Sequence, residues 1–220
     1  MISPDGSRVA YLSRPNGGEA IQIWDAAGGA PRKLCDACGT PIQWMPDGKR
    51  LLVAAETPPR LQVWNALTGE NHNLLPALKH PIRDVATTPD GRWMAITTRR
   101  TPGVTPDGCP EAFLVPFEVE SSRSCNDWLA LTGLGSIWGV RWSQAGDLLY
   151  FFSLRDGRRC VWAQHLPLPS RRPVGKPFAV QHFHRYQPSP WSGGGISTAG
   201  GRLAVWFQDA QSSIWMAELH

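Results

Sequence analysis

The segment Ser3-Pro4-Asp5-Gly6 indicates the architecture of the chain, because near copies of it recur and each is followed by an apolar run. Met45-Pro46-Asp47-Gly48 and Thr88-Pro89-Asp90-Gly91 repeat it closely, and residues 143–147 and 198–201 are degenerate copies. Proline presets φ at the first corner of a tight turn, aspartate bonds back to the backbone, and glycine takes a positive φ at the exit. Each copy therefore predicts a hairpin between two antiparallel strands.

A second marker, an apolar strand with a tryptophan, follows the turns in phase. The third unit has Ala112-Phe113-Leu114-Val115 in that place, displaced by an insertion at residues 101–110. Two markers in phase over five units indicate a true repeat, and we expect the tryptophans to pack between neighbouring units. The four tryptophans, which lie 14 to 18 residues after the glycine of their turn, are Trp24, Trp64, Trp162 and Trp215.

The length of the repeat predicts the architecture. The turn glycines at positions 6, 48, 91, 146 and 201 are 42 to 55 residues apart, and four short strands in about 42 residues make one propeller blade. We predict an all-β fold, a single β-propeller segment over residues 1–220 with about four to five four-stranded antiparallel blades, incomplete or open. An open propeller presents unpaired strand edges, which would allow self-association. The approximate blades are 1–34, 35–76, 77–135, 136–190 and 191–220.

Composition excludes several classes of protein. The chain has 22 Gly and 20 Pro in 220 residues, too many breakers for a helical bundle. The net charge is only +4 and the basic residues are scattered, so we expect no direct binding to nucleic acid. No apolar run approaches the roughly 18 residues of a membrane span. Residues 1–6 contain neither a charged nor an apolar leader region, so we expect no secretion signal.

The turns and the strand Ile21-Gln22-Ile23-Trp24-Asp25 resemble TolB-type propeller repeats over nearly the whole chain. WD repeats fit less well, because the other repeat tryptophans are not followed by aspartate. Segments 157–164 and 172–178 are similar to the C-terminal propellers of large bacterial sensor proteins, in which a kinase or winged-helix domain comes first. The resemblance implies a non-catalytic module for protein–protein interaction or ligand sensing, the C-terminal part of a larger bacterial signalling protein, and a periplasmic location.

Cysteine and histidine patterns suggest metal chemistry only weakly. Cys35-x-x-Cys38 could ligate zinc or form a redox pair, but no second ligand pair follows at the spacing of a zinc finger. The total of five cysteines is odd and does not indicate a disulfide framework. His182 and His184 lie on one side of an extended segment, without a carboxylate nearby in sequence. We therefore expect two loop cysteines without function, a half-exposed histidine pair, no metal and no cofactor.

Catalytic motifs are equally weak, and we predict that the chain is not an enzyme. Residues 195–199, Gly-Ile-Ser-Thr-Ala, lack the last glycine of a nucleophile elbow. A resemblance to the propellers of prolyl-oligopeptidase-type peptidases implies an alternative role, a gating domain detached from its hydrolase. A propeller glycosidase is a third alternative, but only Asp84 lies on a predicted first strand where a carboxylate pair is needed. Gly193-Gly194-Gly195 is interpreted as a flexible link before a strand.

Any ligand of a propeller is expected at the channel mouth, where first strands and loops converge. We therefore expect a protein or a small ligand to bind there. The polar and aromatic residues of the predicted first strands are the candidate binding residues, namely Gln43, Arg83, Asp84, Trp138 and Arg141.

Overall fold

The computed structural model describes residues 1–14, 17–75, 78, 80–99, 110–117, 128–131, 133–183, 194–199 and 201–207. Within these ranges the chain forms five antiparallel sheets that follow one another in sequence. Three of them have four strands each, which confirms the prediction of an all-β fold with four-stranded blades, incomplete or open. No helix among these residues is long and apolar enough to cross a bilayer.

The five sheets are named A to E in chain order, and in each sheet neighbouring strands are consecutive in sequence. Sheet A consists of β1 (Arg8–Ser13), β2 (Ala20–Asp25) and β3 (Arg32–Asp36). Sheet B consists of β4 (Thr40–Trp44), β5 (Arg50–Glu56), β6 (Pro59–Asn65) and β7 (Asn71–Leu75). Sheet C consists of β8 (Ile82–Thr87), β9 (Trp93–Thr98), β10 (Ala112–Pro116) and β11 (Leu129–Ala130). Sheet D consists of β12 (Ile137–Trp142), β13 (Leu148–Ser153), β14 (Cys160–His165) and β15 (Val174–Gln181), and sheet E of β16 (Gly194–Ala199) and β17 (Arg202–Phe207).

The recurring turns form the hairpins that the sequence predicts. In the second turn the Gly48 amide donates to the Met45 carbonyl over 2.9 Å, and Gly48 has a φ of 65°. The Asp47 carboxylate accepts the Lys49 amide over 2.8 Å, which holds the chain as it enters β5. The glycines at positions 6, 91 and 146 donate in the same way and also have positive φ. Glycine is needed because a side chain is strained at that φ.

Successive turns pack against each other. A Cβ atom on Gly48 would lie 3.7 Å from Asp5 of the preceding turn, and one on Gly91 would lie 3.7 Å from Pro46. A Cβ atom on Gly146 would lie 3.2 Å from Pro89. The turns at residues 3–6, 45–48, 88–91 and 143–146 therefore form one continuous surface, named here the turn face.

The first strands of successive sheets lie side by side at the inner edge of the arrangement, in the order β4, β8, β12 and β16. Tryptophans at the ends of these strands join neighbouring sheets. Trp44 Nε1 donates to the Met1 carbonyl over 3.1 Å, and Trp142 Nε1 donates to the Ala86 carbonyl over 3.0 Å. Both indole side chains are almost fully buried, so each contact combines apolar burial with a satisfied hydrogen bond.

The hydrophobic core is divided into clusters that lie between successive sheets. Trp64 and Trp162 pack at the edges of the A–B and C–D clusters, as expected for the repeat tryptophans. Trp24 is 37% exposed and its Nε1 donates to the Gly29 carbonyl of the loop after β2, so within the described part of the chain the expectation is wrong for this residue. Trp215 lies outside the described residues. The tryptophans that bridge sheets by hydrogen bonds are instead those of the inner strands.

Two other expectations are corrected by the structure. Cys35, in β3, forms a disulfide with Cys38, with the two Cα atoms 6.0 Å apart, so the cysteines close the bend between sheets A and B. They are therefore bonded to each other rather than being two loop cysteines without a role. Gly194 and Gly195 belong to β16 and pair with Phe207 and Trp206, so this part of the glycine run is strand and not a flexible link.

Arg171 is a buried charged residue that links sheet D to the turn face. Its guanidinium donates to the carbonyls of Gly146 and Leu166, and its Cζ atom lies 5.3 Å from the centroid of the Trp142 ring. Burial lowers the pKa of Arg171, and the carboxylates of Asp90 and Asp147 oppose that shift. The side chain thus fastens the loop between β14 and β15 to the β12–β13 turn of its own sheet, and its Nη2 lies 3.9 Å from Asp90 Oδ2 of the preceding turn.

Candidate functional site

A cavity of about 520 Å³ opens where the inner strands reach the turn face. Its wall combines prolines of three successive turns with polar side chains from the ends of β4, β8, β12 and β16. Among the described lining residues, Arg141 is the only charged one, and none carries a carboxylate, imidazole or thiol. The lining residues are Pro4, Gln43, Trp44, Pro46, Ala86, Thr87, Thr88, Pro89, Arg141, Trp142, Ser143, Gln144, Thr198 and Ala199.

Gln43 is held in place by the neighbouring sheet. Its Nε2 donates to Thr87 Oγ1 over 2.8 Å, and its Oε1 accepts the Thr87 amide over 3.1 Å. The pairing of β4 with β5 shifts register between Pro41 and Gln43. The amide group of Gln43 is therefore a fixed part of the cavity wall.

Arg141 follows an irregularity in β12. The pairing of β12 with β13 shifts register between Trp138 and Arg141, and Gly139 within that stretch has a φ of 63°. The bulge leaves the Gly139 amide free of the ladder, and it donates to Asp84 Oδ2 over 2.9 Å. Arg141 Nη1 donates to the Val140 carbonyl over 2.6 Å. The bulge thus positions the guanidinium at the cavity.

Asp84 and Arg141 form the electrostatic centre of the inner strands. Burial raises the pKa of Asp84, while the Gly139 amide and the positive charges of Arg141 and Arg83 oppose the rise. Burial lowers the pKa of Arg141, and the Asp84 carboxylate opposes this change. Each group thus favours the charged form of the other, and Asp84 connects sheet C to sheet D.

Arg83 and Trp138 lie closer to the opposite end of the inner strands. The Arg83 Cζ atom is 4.9 Å from the centroid of the Trp138 ring, and the Arg159 Cζ atom is 5.5 Å from it. Neither Arg83 nor Trp138 lines the cavity. The structure therefore brings Gln43 and Arg141 to the cavity, joins Asp84 to Arg141 by charge, and pairs the other two candidates elsewhere.

Sequence reasoning missed the polar residues beside the turns. Thr87, Thr88, Ser143 and Thr198 line the cavity, and each lies within one residue of the boundary between an inner strand and its turn. Their shared position beside the repeated turn could have predicted that they line the cavity. Ser143 Oγ donates to Asp147 Oδ1 over 2.8 Å, so this hydroxyl belongs to the turn as well as to the cavity wall.

No protein-family model and no curated protein sequence matches the chain. Solved structures of similar fold do match it. TolB from Acinetobacter baumannii is 18% identical with a TM-score of 0.59, and the match covers 93% of this chain and 50% of that one. A protein described as TolB from Agrobacterium tumefaciens is 18% identical with a TM-score of 0.61, and the match covers 96% of this chain and 73% of that one.

A prolyl endopeptidase structure is 16% identical with a TM-score of 0.58, and the match covers 95% of this chain and 31% of that one. The chain thus spans half of the Acinetobacter protein and less than a third of the peptidase. At these identities the likeness shows the fold, which is a β-propeller similar to that of TolB.

Proposed function

We propose that the chain is a non-catalytic binding module that recognises an acidic peptide segment of a partner protein in the cavity at the turn face. The observation that carries the proposal is the lining of that cavity, where Arg141 supplies the only charge among the described residues. A pocket with one guanidinium and several neutral donors favours a ligand with a carboxylate. The resemblance to sensor propellers supports a place for this module in a larger bacterial signalling protein.

The size and composition of the cavity support a peptide ligand. A volume of about 520 Å³ lies within the range of about 300–1,000 Å³ found for ligand pockets. Pro4, Pro46 and Pro89 give it rigid apolar walls, and the amide of Gln43 offers both a donor and an acceptor. An extended peptide presents the same alternation of backbone donors and acceptors with apolar side chains.

Fluorescence anisotropy with labelled octapeptides tests the proposal. One set ends in two glutamates with a free carboxylate, and a matched set ends in two glutamines with a carboxamide. We expect the acidic set to bind the full chain and the neutral set to bind about 10- to 100-fold more weakly, as expected for the loss of a charged hydrogen bond.

Two variants locate the binding site. Arg141→Gln is expected to abolish the preference for acidic peptides, whereas Lys176→Gln removes an exposed positive charge on β15 and leaves the preference unchanged. Circular dichroism confirms that both variants are folded. Equal binding of both peptide sets by the unmodified chain, or an unchanged preference in Arg141→Gln, would contradict the proposal.

The likeness to a prolyl endopeptidase supports a second candidate, a gating propeller that filters substrates for a hydrolase domain. The two candidates differ in their coding context. An adjoining reading frame for an α/β-hydrolase domain supports gating, whereas an upstream kinase or winged-helix domain supports the binding module.

A further inference from the structure

Three segments of sheet D converge at the end opposite the turn face. Cys160 begins β14 and pairs with Ser153 at the end of β13, and Asp156 lies in the hairpin that joins these two strands. β15 returns to the same end and finishes at Gln181, directly before His182. The sheet register therefore brings together an aspartate, a cysteine and a histidine that span 27 positions of the sequence.

The three side chains present one potential ligand atom each to a common point. His182 Nδ1 is 3.3 Å from Cys160 Sγ and 3.0 Å from Asp156 Oδ2. Cys160 Sγ is 3.6 Å from the same Asp156 oxygen. The sulfur, nitrogen and oxygen atoms thus form a triangle with edges of 3.0, 3.3 and 3.6 Å.

The triangle matches the ligand spacing of a tetrahedral zinc ion. With Zn–S near 2.3 Å and Zn–N and Zn–O near 2.0–2.1 Å, tetrahedral angles place the ligand atoms about 3.3–3.6 Å apart. The observed edges differ from these by only a few tenths of an ångström. We propose that Asp156, Cys160 and His182 form a zinc-binding site in which water is the fourth ligand.

The choice of zinc follows from the types of ligand. Thiolate and imidazole favour zinc over magnesium or calcium, which prefer oxygen ligands only. Three protein ligands with one open position are typical of zinc sites that keep a bound water. The His182 side chain is 48% exposed and that of Asp156 is 22% exposed, so the ion is accessible from solvent while the thiol lies below it.

The repeat itself marks this position as unusual. The residue two places before the repeat tryptophan is Gln22 in β2 of sheet A and Gln62 in β6 of sheet B, both half-buried. In sheet D the corresponding residue is Cys160, which is buried. At this position of the repeat, sheets A and B thus carry a glutamine amide. Sheet D carries a thiol instead, and Asp156 and His182 contact that thiol.

Charge balance is consistent with the site. Zinc binding converts the thiol to a thiolate and releases its proton to solvent. The two charges of Zn²⁺ are then balanced by one thiolate and one carboxylate, while His182 binds as neutral imidazole.

The proposed site departs from the expectation of no metal and of a half-exposed histidine pair. That expectation weighed only carboxylates near His182 in sequence, whereas Asp156 lies 26 positions before it and is brought to it by the return of β15. His184 lies outside the described residues.

Titration of the full, reduced chain with ZnCl₂ tests the proposal by calorimetry, with CoCl₂ as a spectroscopic substitute. A Cys35→Ser/Cys38→Ser background removes the other cysteine pair as a competing site. We expect one zinc per chain, release of about one proton, and a cobalt–thiolate absorption band in the near ultraviolet. Cys160→Ser should remove the band and weaken zinc binding by at least about 100-fold, more than an outer-shell change does.

Matched variants distinguish this site from adventitious binding. His182→Gln and Asp156→Asn should each weaken binding at least about tenfold, whereas Cys109→Ser, Cys125→Ser and His72→Gln should leave it unchanged. The thermal midpoint should rise with zinc in the background chain and stay constant in Cys160→Ser, which also shows that this variant folds. Absence of binding by the folded background chain, or equal binding by Cys160→Ser, overturns the proposal and shows a hydrogen-bonded cluster without metal.

Discussion

The interface between sheets B and C and the interface between sheets D and E are built on the same turn but packed very differently. The B–C cluster has fifteen buried residues among those described, including Phe113, whose ring stacks on Trp128 at 4.2 Å. The D–E cluster has three buried residues among those described, and Phe207 and Phe183 cover it as half-buried rings 4.7 Å apart. The turn therefore places sheets side by side, and among the described residues the apolar strands behind it bury more side chains between sheets B and C than between sheet D and the two described strands of sheet E.

The inner strands show a related difference. In sheets B and D the inner strand ends in a buried tryptophan whose indole donates to the Met1 carbonyl ahead of sheet A and to the Ala86 carbonyl of sheet C, respectively. In sheet C the same place holds Thr87, and Gln43 of sheet B bonds to it instead. The joint between B and C is therefore polar at the cavity and apolar further out, whereas Trp44 and Trp142 place an indole ring at the corresponding position of their strands.

The largest expected effect separates the two interfaces directly. Phe113→Ala removes a fully buried ring from the B–C cluster and should cost about 3–5 kcal/mol of unfolding free energy. Phe207→Ala truncates a half-buried ring of the D–E cluster and should cost about 1 kcal/mol. Urea unfolding of both variants measures the difference. Equal losses would mean that the two interfaces contribute alike.

The next effect concerns the bulge in β12. A Cβ atom on Gly139 would lie 2.7 Å from the Phe152 ring, and the residue has a φ of 63°. Gly139→Ala should therefore combine backbone strain with overpacking and cost about 3 kcal/mol. Gly69→Ala is the matched control, since Gly69 has a φ of 77° with open space around it, and it should cost about 1–2 kcal/mol. If Gly139→Ala lowers the free energy of unfolding no more than Gly69→Ala does, the Phe152 ring can move aside without cost.

A smaller effect tests the indole bridge between sheets C and D. Trp142→Phe keeps an aromatic ring but leaves the Ala86 carbonyl without its donor, and should cost about 1–2 kcal/mol by chemical denaturation. Trp24→Phe removes an indole donor on the exposed side of sheet A and should cost about 0.5 kcal/mol or less. If both substitutions lower the free energy of unfolding equally, then burial does not increase the contribution of the Trp142 hydrogen bond to stability.

The smallest effect concerns the first turn and depends on pH. Hydrogen bonds from Ser3 and Ser7 lower the pKa of Asp5 to about 2, below the unfolded value near 3.9. Because the folded pKa is the lower one, the stabilisation is present above about pH 4 and is lost as the pH falls toward 2. The thermal midpoint of Asp5→Asn should lie slightly below that of the unmodified chain at pH 5, and the difference should shrink as the pH falls from 4 through 2. A difference of the same size at pH 5 and at pH 2 would assign the effect to something other than ionisation.

The sequence predicts the hairpins well because their geometry is local. Proline, aspartate and glycine determine the backbone of each turn within four residues. The turns that end at Gly48 and Gly91, and the hairpins they connect, therefore follow from the sequence alone. The disulfide between Cys35 and Cys38 is also local, but an odd cysteine count gave no reason to expect it.

Other features depend on register and could not be predicted. The contact of Trp142 with Ala86 spans 56 positions and requires the lateral placement of two sheets. The Asp156, Cys160 and His182 cluster requires the return path of β15. Arginine is usually exposed, so the sequence predicts a surface position for Arg171. The path of the loop between β14 and β15 instead buries it beneath the turn face.

The recurring turn places successive sheets side by side around an inner edge, and the Trp142 indole N–H proton reports on that arrangement. This proton should show nuclear Overhauser contacts to Ala86 and exchange slowly with solvent, because it is buried between sheets C and D. Fast exchange together with no contact between Trp142 and Ala86 would contradict the arrangement and, with it, the cavity that the inner strands form.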